Sequence, residues 1–341
     1  MPHYLGLDLG GTNVKAGVTD AAGNLRAHVS VPTAAAHIRG RAALSAAHVI
    51  ARMIDAGKQA IAAAGLTLSD IAAVGVLAPG QASLARGIVY RSANLPLWKN
   101  VRIRAAVSTG LSLPAILEND ANAAAFGEWW AGAGKNKKVG NLFMFTLGTG
   151  VGGGFVYEGK VVRGHTDFAA EIGHTIVVPD GEPCGCGQRG CLETYTSAAY
   201  TGRRATRMLE ESRKLRKKSS LGRTLKSAGV VTAADVVAHA RKGDKFALQV
   251  WDDTCRILAL ACINVCHILD PEMIVLAGGM SQAGRFLVDA VNRHFTAYWW
   301  KMTPPTAKIA LARLGNDAGV IGAAGVAKHA ADHHALPPIG K

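Results

Sequence analysis

The sequence is poor in charged and aromatic residues and contains no long apolar run. Charged residues make up 18% of the chain and aromatic residues 6%, while 49% are hydrophobic. This composition indicates a folded globular protein and excludes a disordered one. The longest apolar run, residues 257–269, is interrupted by Asn264 and His267, so it is too short to cross a bilayer. No basic segment followed by an apolar stretch opens the chain, which predicts no signal peptide and a cytoplasmic protein.

Acidic residues are scarce, and the resulting positive charge is concentrated in one segment. The net charge is +14, and residues 203–226 contain ten Lys or Arg against two Glu. Neither interleaved aromatic residues nor a recognition helix accompanies this segment, so the sequence predicts no nucleic-acid partner. We expect a solvated surface helix and loop here, and a frayed tail beyond about His333.

An internal repeat divides the chain of 341 residues into two halves. Residues 7–18 read LDLGGTNVKAGV, and residues 145–156, at an offset of 138, read FTLGTGVGGGFV. Each copy predicts a β-hairpin with a glycine-rich bend and is followed by further strands and helices. The pattern predicts an α/β fold with mixed sheets and two domains, 1–120 and 121–318, separated by a ligand cleft. A C-terminal helix at about 319–333 is expected to pack back on the first domain.

The expected secondary structure follows from apolar periodicity and turn residues. Strands are predicted at 4–8, 14–19, 25–31, 71–78, 115–118, 141–147, 154–157, 176–178, 273–276 and 307–312. Helices are predicted at 41–64, 233–241, 245–269, 283–298 and 319–331.

The two glycine bends are typical of phosphate-binding loops. Glycine allows a tight turn whose N–H groups approach an anion closely, and two such loops with Thr in matching halves form a more specific pattern than one. The first loop offers Gly10, Gly11, Thr12, Asn13 and Lys15 as phosphate contacts, and the second offers Thr149 and Gly150. Asp8 ends the first strand and is suited to hold a hydrated Mg²⁺. A third turn, at Gly278 and Gly279, fits either an adenosine contact or an ordinary strand-to-helix connection.

Three of the six cysteines lie within eight positions, a spacing typical of a metal site. His174, Cys184, Cys186 and Cys191 form a Cys₃His set, which suits a closed, tetrahedral structural Zn²⁺. A disulfide would leave one cysteine over and would be unusual in the cytoplasm.

The segment Glu118-Asn119-Asp120-Ala121-Asn122 ends a strand and starts an Ala-rich helix. Asp120 or Asn122 could be a simple helix N-cap. Alternatively, Asp120 could be the carboxylate that accepts a hydroxyl proton during phosphoryl transfer.

From LGLDLGGTNVKAG to LGNDAGVIGAAGVA, the chain resembles the ROK family of sugar kinases and sugar-responsive repressors, and in particular its glucokinases. The resemblance implies an actin-like ATPase fold in which MgATP lies against the three glycine turns, with Gly278 and Gly279 at the adenosine. It also implies that Asp120 is the catalytic base and that the sugar contacts are Asn94, Asn119, Asp120, Glu171, His174 and Glu193. From the sequence alone, Glu171 fits a carboxylate on a helix face as well as it fits a sugar ligand. A homodimer or dimer of dimers is expected by the same resemblance.

The substrate and the phosphoryl donor stay open at this stage. Glucose is favoured, and mannose, fructose, allose or an N-acetylhexosamine are alternatives that differ by a few hydrogen bonds. Polyphosphate is an alternative donor to ATP. A sugar-sensing repressor is less favoured, because family repressors carry a helix-turn-helix ahead of the first glycine loop, which here begins at residue 8.

Overall fold

The computed structural model describes residues 2–33, 45–92, 95, 97–135 and 139–341. The chain forms two compact units. The first comprises Met1–Gly140, Gly154–Ala169 and Arg313–Lys341, and the second comprises Asn141–Gly153 and Ala170–Ala312. The predicted α/β class with mixed sheets is confirmed. The units divide the chain elsewhere than at residue 120, because the helix that starts there packs against the C-terminal helix of the first unit.

The first unit is built on a five-stranded mixed sheet with the order β3-β2-β1-β4-β7. The first three strands form antiparallel pairs, and β4 and β7 run parallel to β1. Burial alternates residue by residue along the edge strand β3, whereas β4 is almost wholly buried. The elements of this region are β1 His3–Leu9, β2 Asn13–Thr19, β3 Leu25–Pro32, α1 Ala46–Ala63, β4 Ile71–Leu77, β5 Gln81–Ser83, β6 Ile88–Arg91, α2 Ile103–Leu111, β7 Ala115–Glu118 and α3 Asp120–Trp130.

The second sheet has the order β10-β9-β8-β11-β12, and β11, which is parallel to both of its neighbours, is fully buried. The long helix between β10 and β11 buries one face rich in Ala, Ile and Cys. The elements are β8 Leu142–Leu147, β9 Val151–Tyr157, β10 Lys160–Val161, α4 Glu193–Thr196, α5 Ala198–Glu211, α6 Arg213–Lys218, α7 Leu221–Ala228, α8 Ala233–Arg241, α9 Lys245–Leu269, β11 Met273–Ala277, α10 Arg285–Tyr298, β12 Lys308–Leu311 and α11 Ala318–Asp332.

The C-terminal helix α11 lies directly on the first sheet. A Cβ atom added to Gly6 of β1 would come within 2.0 Å of the Val320 carbonyl oxygen, and one added to Gly75 of β4 within 1.9 Å of the Ala323 oxygen. Glycine at these two positions therefore permits a backbone-to-backbone approach that no larger residue allows. Because α11 touches both central strands, it completes the core of the first unit.

Three local predictions were wrong. The strand at 176–178 is reduced to one isolated bridge between Ile176 and Cys191, because this segment turns repeatedly around the cysteines. In the basic segment the predicted surface helix is present, but the predicted loop is replaced by further helices: the segment forms α5, α6 and α7, of which α5 buries Leu209 and α7 buries Leu221 and Leu225. The tail beyond His333 is fastened to the first unit, since Gly340 N donates to Ser108 Oγ at 3.2 Å.

No helix in the described ranges combines the length and the apolar character that a bilayer span demands. The sequence also gave no signal for α2 or for the β5–β6 hairpin. Both are short, and both depend on contacts with the rest of the first unit.

Candidate functional site

The first glycine turn joins β1 to β2, and Thr33 fixes it through two hydrogen bonds. Gly10 N donates to Asn13 O at 2.9 Å, which closes the turn. Thr33 Oγ1 donates to Gly10 O at 2.7 Å, and Thr33 N donates to Thr12 O at 2.8 Å. Thr12 and Asn13 are exposed. The turn is thus fixed through its carbonyl groups, while its exposed side chains remain available to an anion.

Asp8, the last residue but one of β1, lies beside this turn in a position that favours a cation. Burial raises the pKa of the Asp8 carboxyl, Lys15 opposes that effect, and the carboxylate of Asp120 adds to it. A Cβ added to Gly319, in the first turn of α11, would lie 2.8 Å from Asp8 Oδ2, so the helix N-terminus adjoins the carboxylate. Two neighbouring carboxylates, one of them poorly solvated, are stabilised by a divalent ion.

Asp120 is the first residue of α3 and is exposed, but it is not the N-cap. Asn119 has that role, because its Oδ1 accepts Ala121 N at 2.9 Å and Asn122 N at 3.1 Å. Asp120 Oδ1 also accepts Ala121 N, at 2.8 Å. The structure therefore leaves the capping function with Asn119 and places an accessible carboxylate at the positive end of a helix.

The carboxylate of Glu118, two residues before Asp120, is completely buried and ion-paired. Arg163 Nε donates to Glu118 Oε2 at 2.8 Å, and Asn122 Nδ2 donates to Oε1 at 3.4 Å. Burial raises the pKa of Glu118, and the Arg163 guanidinium opposes this shift. The pair fixes the end of β7, two residues before the candidate base Asp120. Sequence reasoning missed Arg163; the only available signal was that a buried glutamate needs a cationic partner.

The second glycine turn joins β8 to β9 and is braced by Glu193. Gly148 N donates to Gly150 O at 3.0 Å, and Ala198 N donates to Gly148 O at 2.9 Å. Glu193 Oε2 accepts Val151 N at 3.0 Å, and a Cβ added to Gly150 would come within 2.4 Å of that oxygen. Glycine at 150 therefore leaves room for this carboxylate, which a larger residue would displace.

The third glycine turn lies against the second and opens onto a cavity. Gly278 has φ of 82°, and a Cβ there would lie 2.6 Å from Leu147 O. A cavity of about 700 Å³ in the second unit is lined by Thr149 and Gly279, together with mostly small and apolar residues of α5 and α8. Arg203 and Arg241 also contribute to its wall. The cavity has the size and apolar character of a site for a nucleoside, and it joins the second and third turns.

The four predicted metal ligands come together in the second unit. His174, Cys184, Cys186 and Cys191 each present one ligand atom, and these atoms lie within 4.8 Å of one another. Cys186 Sγ is 3.7 Å from Cys191 Sγ, and Cys184 Sγ is 3.9 Å from His174 Nδ1. Tetrahedral coordination with Zn–S bonds of about 2.3 Å separates ligands by about 3.8 Å. The spacing fits such an ion.

The thiols of this cluster have unequal acidities. Burial raises the pKa of Cys191 to about 12, and the neighbouring thiols contribute to that shift. The backbone N–H of Gln188 lowers the pKa of Cys186. A metal ion supplies the positive charge that thiolates gathered in this way require.

The predicted sugar ligands are distributed over both units. Asn119 and Asp120 belong to the first unit, and Glu171, His174 and Glu193 to the second. Glu171 precedes a 3₁₀ turn at Ile172–His174 and is not on a helix face. Gly173 within this turn packs on β9, where an added Cβ would lie 2.0 Å from Val151 O. Asn94, also predicted, lies outside the described residues.

Comparison with known proteins gives consistent similarities. The profile of the ROK family matches residues 4–330. A glucokinase of Halalkalibacterium halodurans is 38% identical over 320 residues, which cover 94% of this chain and 93% of the relative. The crystal structure of a ROK family glucokinase from Streptomyces griseus in complex with glucose and AMPPNP has a TM-score of 0.73 at 31% identity and covers 96% of this chain and 99% of that one. An N-acetyl-D-glucosamine kinase of Salmonella heidelberg is 28% identical over 334 residues, covering 94% and 98%.

Proposed function

The chain belongs to the ROK family and has its actin-like ATPase fold, and from that premise we propose that it transfers the γ-phosphoryl group of ATP to the 6-hydroxyl of glucose. It is a sugar kinase. The identity of the sugar and the roles of the individual residues are part of the proposal.

The observation that carries the proposal is the environment of Asp120. Its carboxylate is exposed at the start of α3, and the N-cap of that helix is Asn119, so Asp120 has one oxygen on Ala121 N and the other available to a substrate. A base in phosphoryl transfer to an alcohol needs such an accessible carboxylate, aligned with the substrate hydroxyl. Asp120 accepts the proton of the 6-hydroxyl, and Asn119 hydrogen-bonds a neighbouring hydroxyl.

The remaining site residues have complementary roles. The two glycine turns donate hydrogen bonds to the phosphates through backbone N–H groups, Thr12, Asn13 and Thr149, with Lys15 adding a positive charge. Asp8 would hold Mg²⁺, which neutralises phosphate charge when bound. Adenosine occupies the cavity beside Gly278 and Gly279. Glu171 and Glu193 accept hydrogen bonds from sugar hydroxyls. His174, with one ring nitrogen on the metal, would donate the N–H of its other ring nitrogen to a sugar oxygen.

The Cys₃His cluster would hold Zn²⁺ in a structural role. Four protein ligands complete a tetrahedral shell, so the ion would leave no position for a reacting water. When bound, it holds the segment 174–191 in one conformation. That segment leads into Glu193, whose carboxylate contacts the second glycine turn.

Three features of the proposal rest on family membership and sequence. These are a homodimer or dimer of dimers, a cytoplasmic location, and ATP as the donor in place of polyphosphate. Light scattering on the purified protein tests the first of them. A kinase for an N-acetylhexosamine is the second candidate, favoured by the 28% identity to the Salmonella N-acetyl-D-glucosamine kinase.

The decisive experiment measures ADP release with MgATP across a panel of hexoses and N-acetylhexosamines. We expect the highest kcat/KM with glucose. A preference for N-acetylglucosamine would show that the second candidate function, a kinase for an N-acetylhexosamine, is the right one. If no sugar gives ADP release but polyphosphate supports phosphorylation, the protein is still a sugar kinase and its donor is polyphosphate.

A further inference from the structure

A second cavity lies wholly in the first unit, apart from the proposed nucleotide cavity. It has a volume of about 650 Å³. Its apolar wall includes Leu117 of the edge strand β7, Phe126 of α3 and Val326 of α11. None of the residues assigned above to sugar, ATP or metal lines it among those that the structure describes.

The polar wall of this cavity carries an excess of positive charge. Lys160, Arg163, His329 and His333 line it, and the two imidazole rings lie with their centroids 4.3 Å apart. Burial lowers the pKa of His329, and His333, Arg163 and Lys160 lower it further. Asp332, which is paired with Lys328, acts on His329 in the opposite direction. The neutral ring of His329 is therefore favoured; it can still donate one N–H, while Lys160 and Arg163 supply the fixed positive charges.

The other charged groups lining the cavity already have partners. The one acidic side chain among the described lining residues is Asp167, and its carboxylate accepts Leu84 N at 3.0 Å. The guanidinium of Arg104 donates to Leu84 O at 3.1 Å and to Ala85 O at 3.0 Å. Behind the wall, Glu118 offsets the charge of Arg163, so the positive balance of the described lining residues comes mainly from Lys160.

We propose that this cavity binds a small phosphate monoester. The cluster of one guanidinium, one ammonium and two imidazoles suits a dianion with several acceptor oxygens. The apolar wall of Leu117, Phe126 and Val326 suits the carbon portion of the same molecule, because most small-molecule sites combine apolar lining with a few polar groups. A free phosphate ion would use the basic cluster alone.

The bound ester would act on the candidate catalytic segment through Arg163. Arg163 is the ion-pair partner of the buried Glu118, which precedes Asn119 and Asp120. An anion beside Arg163 competes for its guanidinium and leaves the buried carboxylate less compensated. The ester is therefore a negative regulator of the kinase, an effect that rests on the proposed function, whereas the binding site does not.

Calorimetric titration tests the binding. Glycerol 3-phosphate and inorganic phosphate are each titrated into wild type and into the double variant Lys160→Gln/His333→Gln, with glycerol as the uncharged control. Both substituted side chains are exposed, so the fold should persist. The titration is performed with and without Mg²⁺ and a non-hydrolysable ATP analogue, which occupies the glycine turns. Lys58→Gln, at an exposed lysine of α1 that does not line the cavity, is the matched charge control.

We expect glycerol 3-phosphate to bind wild type and Lys58→Gln alike, more tightly than inorganic phosphate, and at least about tenfold more weakly to the double variant. No binding to wild type, or equal affinity in the double variant, would overturn the proposed site. Tighter binding of inorganic phosphate than of the ester would overturn the role of the apolar wall.

The regulatory part has its own readout. ADP release is measured with and without glycerol 3-phosphate in both proteins. We expect inhibition of wild type and none of the double variant, whose uninhibited kcat stays within about twofold of wild type. Binding without inhibition would show that Arg163 does not couple this cavity to the candidate catalytic segment. A protein that binds the ester but phosphorylates no sugar would contradict the proposed function and leave the site in place.

Discussion

Glu193 Oε2 accepts the backbone N–H of Val151 at 3.0 Å. The other oxygen of the same carboxylate lies 3.6 Å from Cys184 Sγ. One side chain thus connects the cysteine cluster to the second glycine turn. This placement gives Glu193 a bracing role in addition to the sugar contact that family resemblance implies.

The two roles of Glu193 can be separated by substitution. Glu193→Gln keeps an acceptor oxygen for Val151 but loses the negative charge. We expect the KM for the sugar to rise at least about tenfold, because a hydrogen bond to a charged group is replaced by a neutral one, while the KM for MgATP changes little. Glu193→Ala also removes the brace and should raise both constants. A normal sugar KM in the Gln variant would leave Glu193 as a brace only.

Asp120→Asn tests the base. The substitution keeps the shape of the side chain and removes its ability to accept a proton. We expect kcat to fall at least about a hundredfold with sugar affinity nearly unchanged, measured by ADP release and by calorimetric sugar binding. Asp55→Asn, at an exposed position of α1, is the control. A kcat within threefold of wild type would exclude Asp120 as the base, about 0.7 kcal/mol being far too little for that role.

Cys184→Ser tests the metal centre. The variant should lose its zinc, measured by elemental analysis of the purified protein, because three ligands bind the ion far less tightly than four. Its melting temperature should also fall. Cys255→Ser, a buried cysteine of α9 outside the cluster, should keep its metal content. Equal zinc in both variants would contradict the Cys₃His assignment.

Gly278→Ala tests the contact between the second and third glycine turns. The added methyl group would meet Leu147 O at 2.6 Å, and the residue would be held at φ of 82°. We expect the KM for MgATP to rise at least about tenfold as the turns separate. Gly229→Ala is the matched control: its φ is 73°, and nothing lies within 4 Å of the added atom. Its stability should fall through backbone strain alone, without a change in KM.

Asp8→Asn should stabilise the protein in the absence of metal. Because burial raises the pKa of Asp8, folding favours its protonated form, and the ionised carboxylate lowers stability as pH rises through the folded pKa. We expect a melting temperature higher by about 2 °C or more at pH 7.5 in EDTA, with the difference vanishing near pH 4.

Added Mg²⁺ should raise the melting temperature of wild type and leave that of Asp8→Asn unchanged. Asp70→Asn is the control and should lower the melting temperature at pH 7.5. The reason is that Thr67 N–H donates to this carboxylate and lowers the pKa of Asp70, so the ionised form stabilises the fold. A lower melting temperature for Asp8→Asn in EDTA would show that the Asp8–Lys15 attraction outweighs the cost of burial.

Local sequence signals predicted the features that depend on neighbouring residues. Helices α8 and α9 begin and end at the predicted residues, because a capping box at Thr232 and an N-cap at Asp244 define their starts. The glycine turns and the cysteine cluster were also visible, since each lies within a few consecutive residues. These elements needed no knowledge of the rest of the chain.

Features that depend on distant residues were not predictable. Glu118 and Arg163 are 45 positions apart, and no periodicity relates them. Part of the basic segment was expected to be a loop, because short charged stretches form marginal helices on their own. Helix α7 folds because Leu221 and Leu225 are buried, whereas α6 buries no residue and begins at the N-cap Ser212. The capping role of Asn119 could not be told from that of Asp120 before the backbone was known.

The close packing of α11 on β1 and β4 has a consequence for synthesis. The helix is encoded after the whole of the second unit, yet Gly6 and Gly75 meet its backbone directly. During synthesis on the ribosome, all residues of the second unit emerge before α11 does. Until α11 emerges, one face of the first sheet has no helix to cover it. We expect the half of the protein made first to reach its native state last.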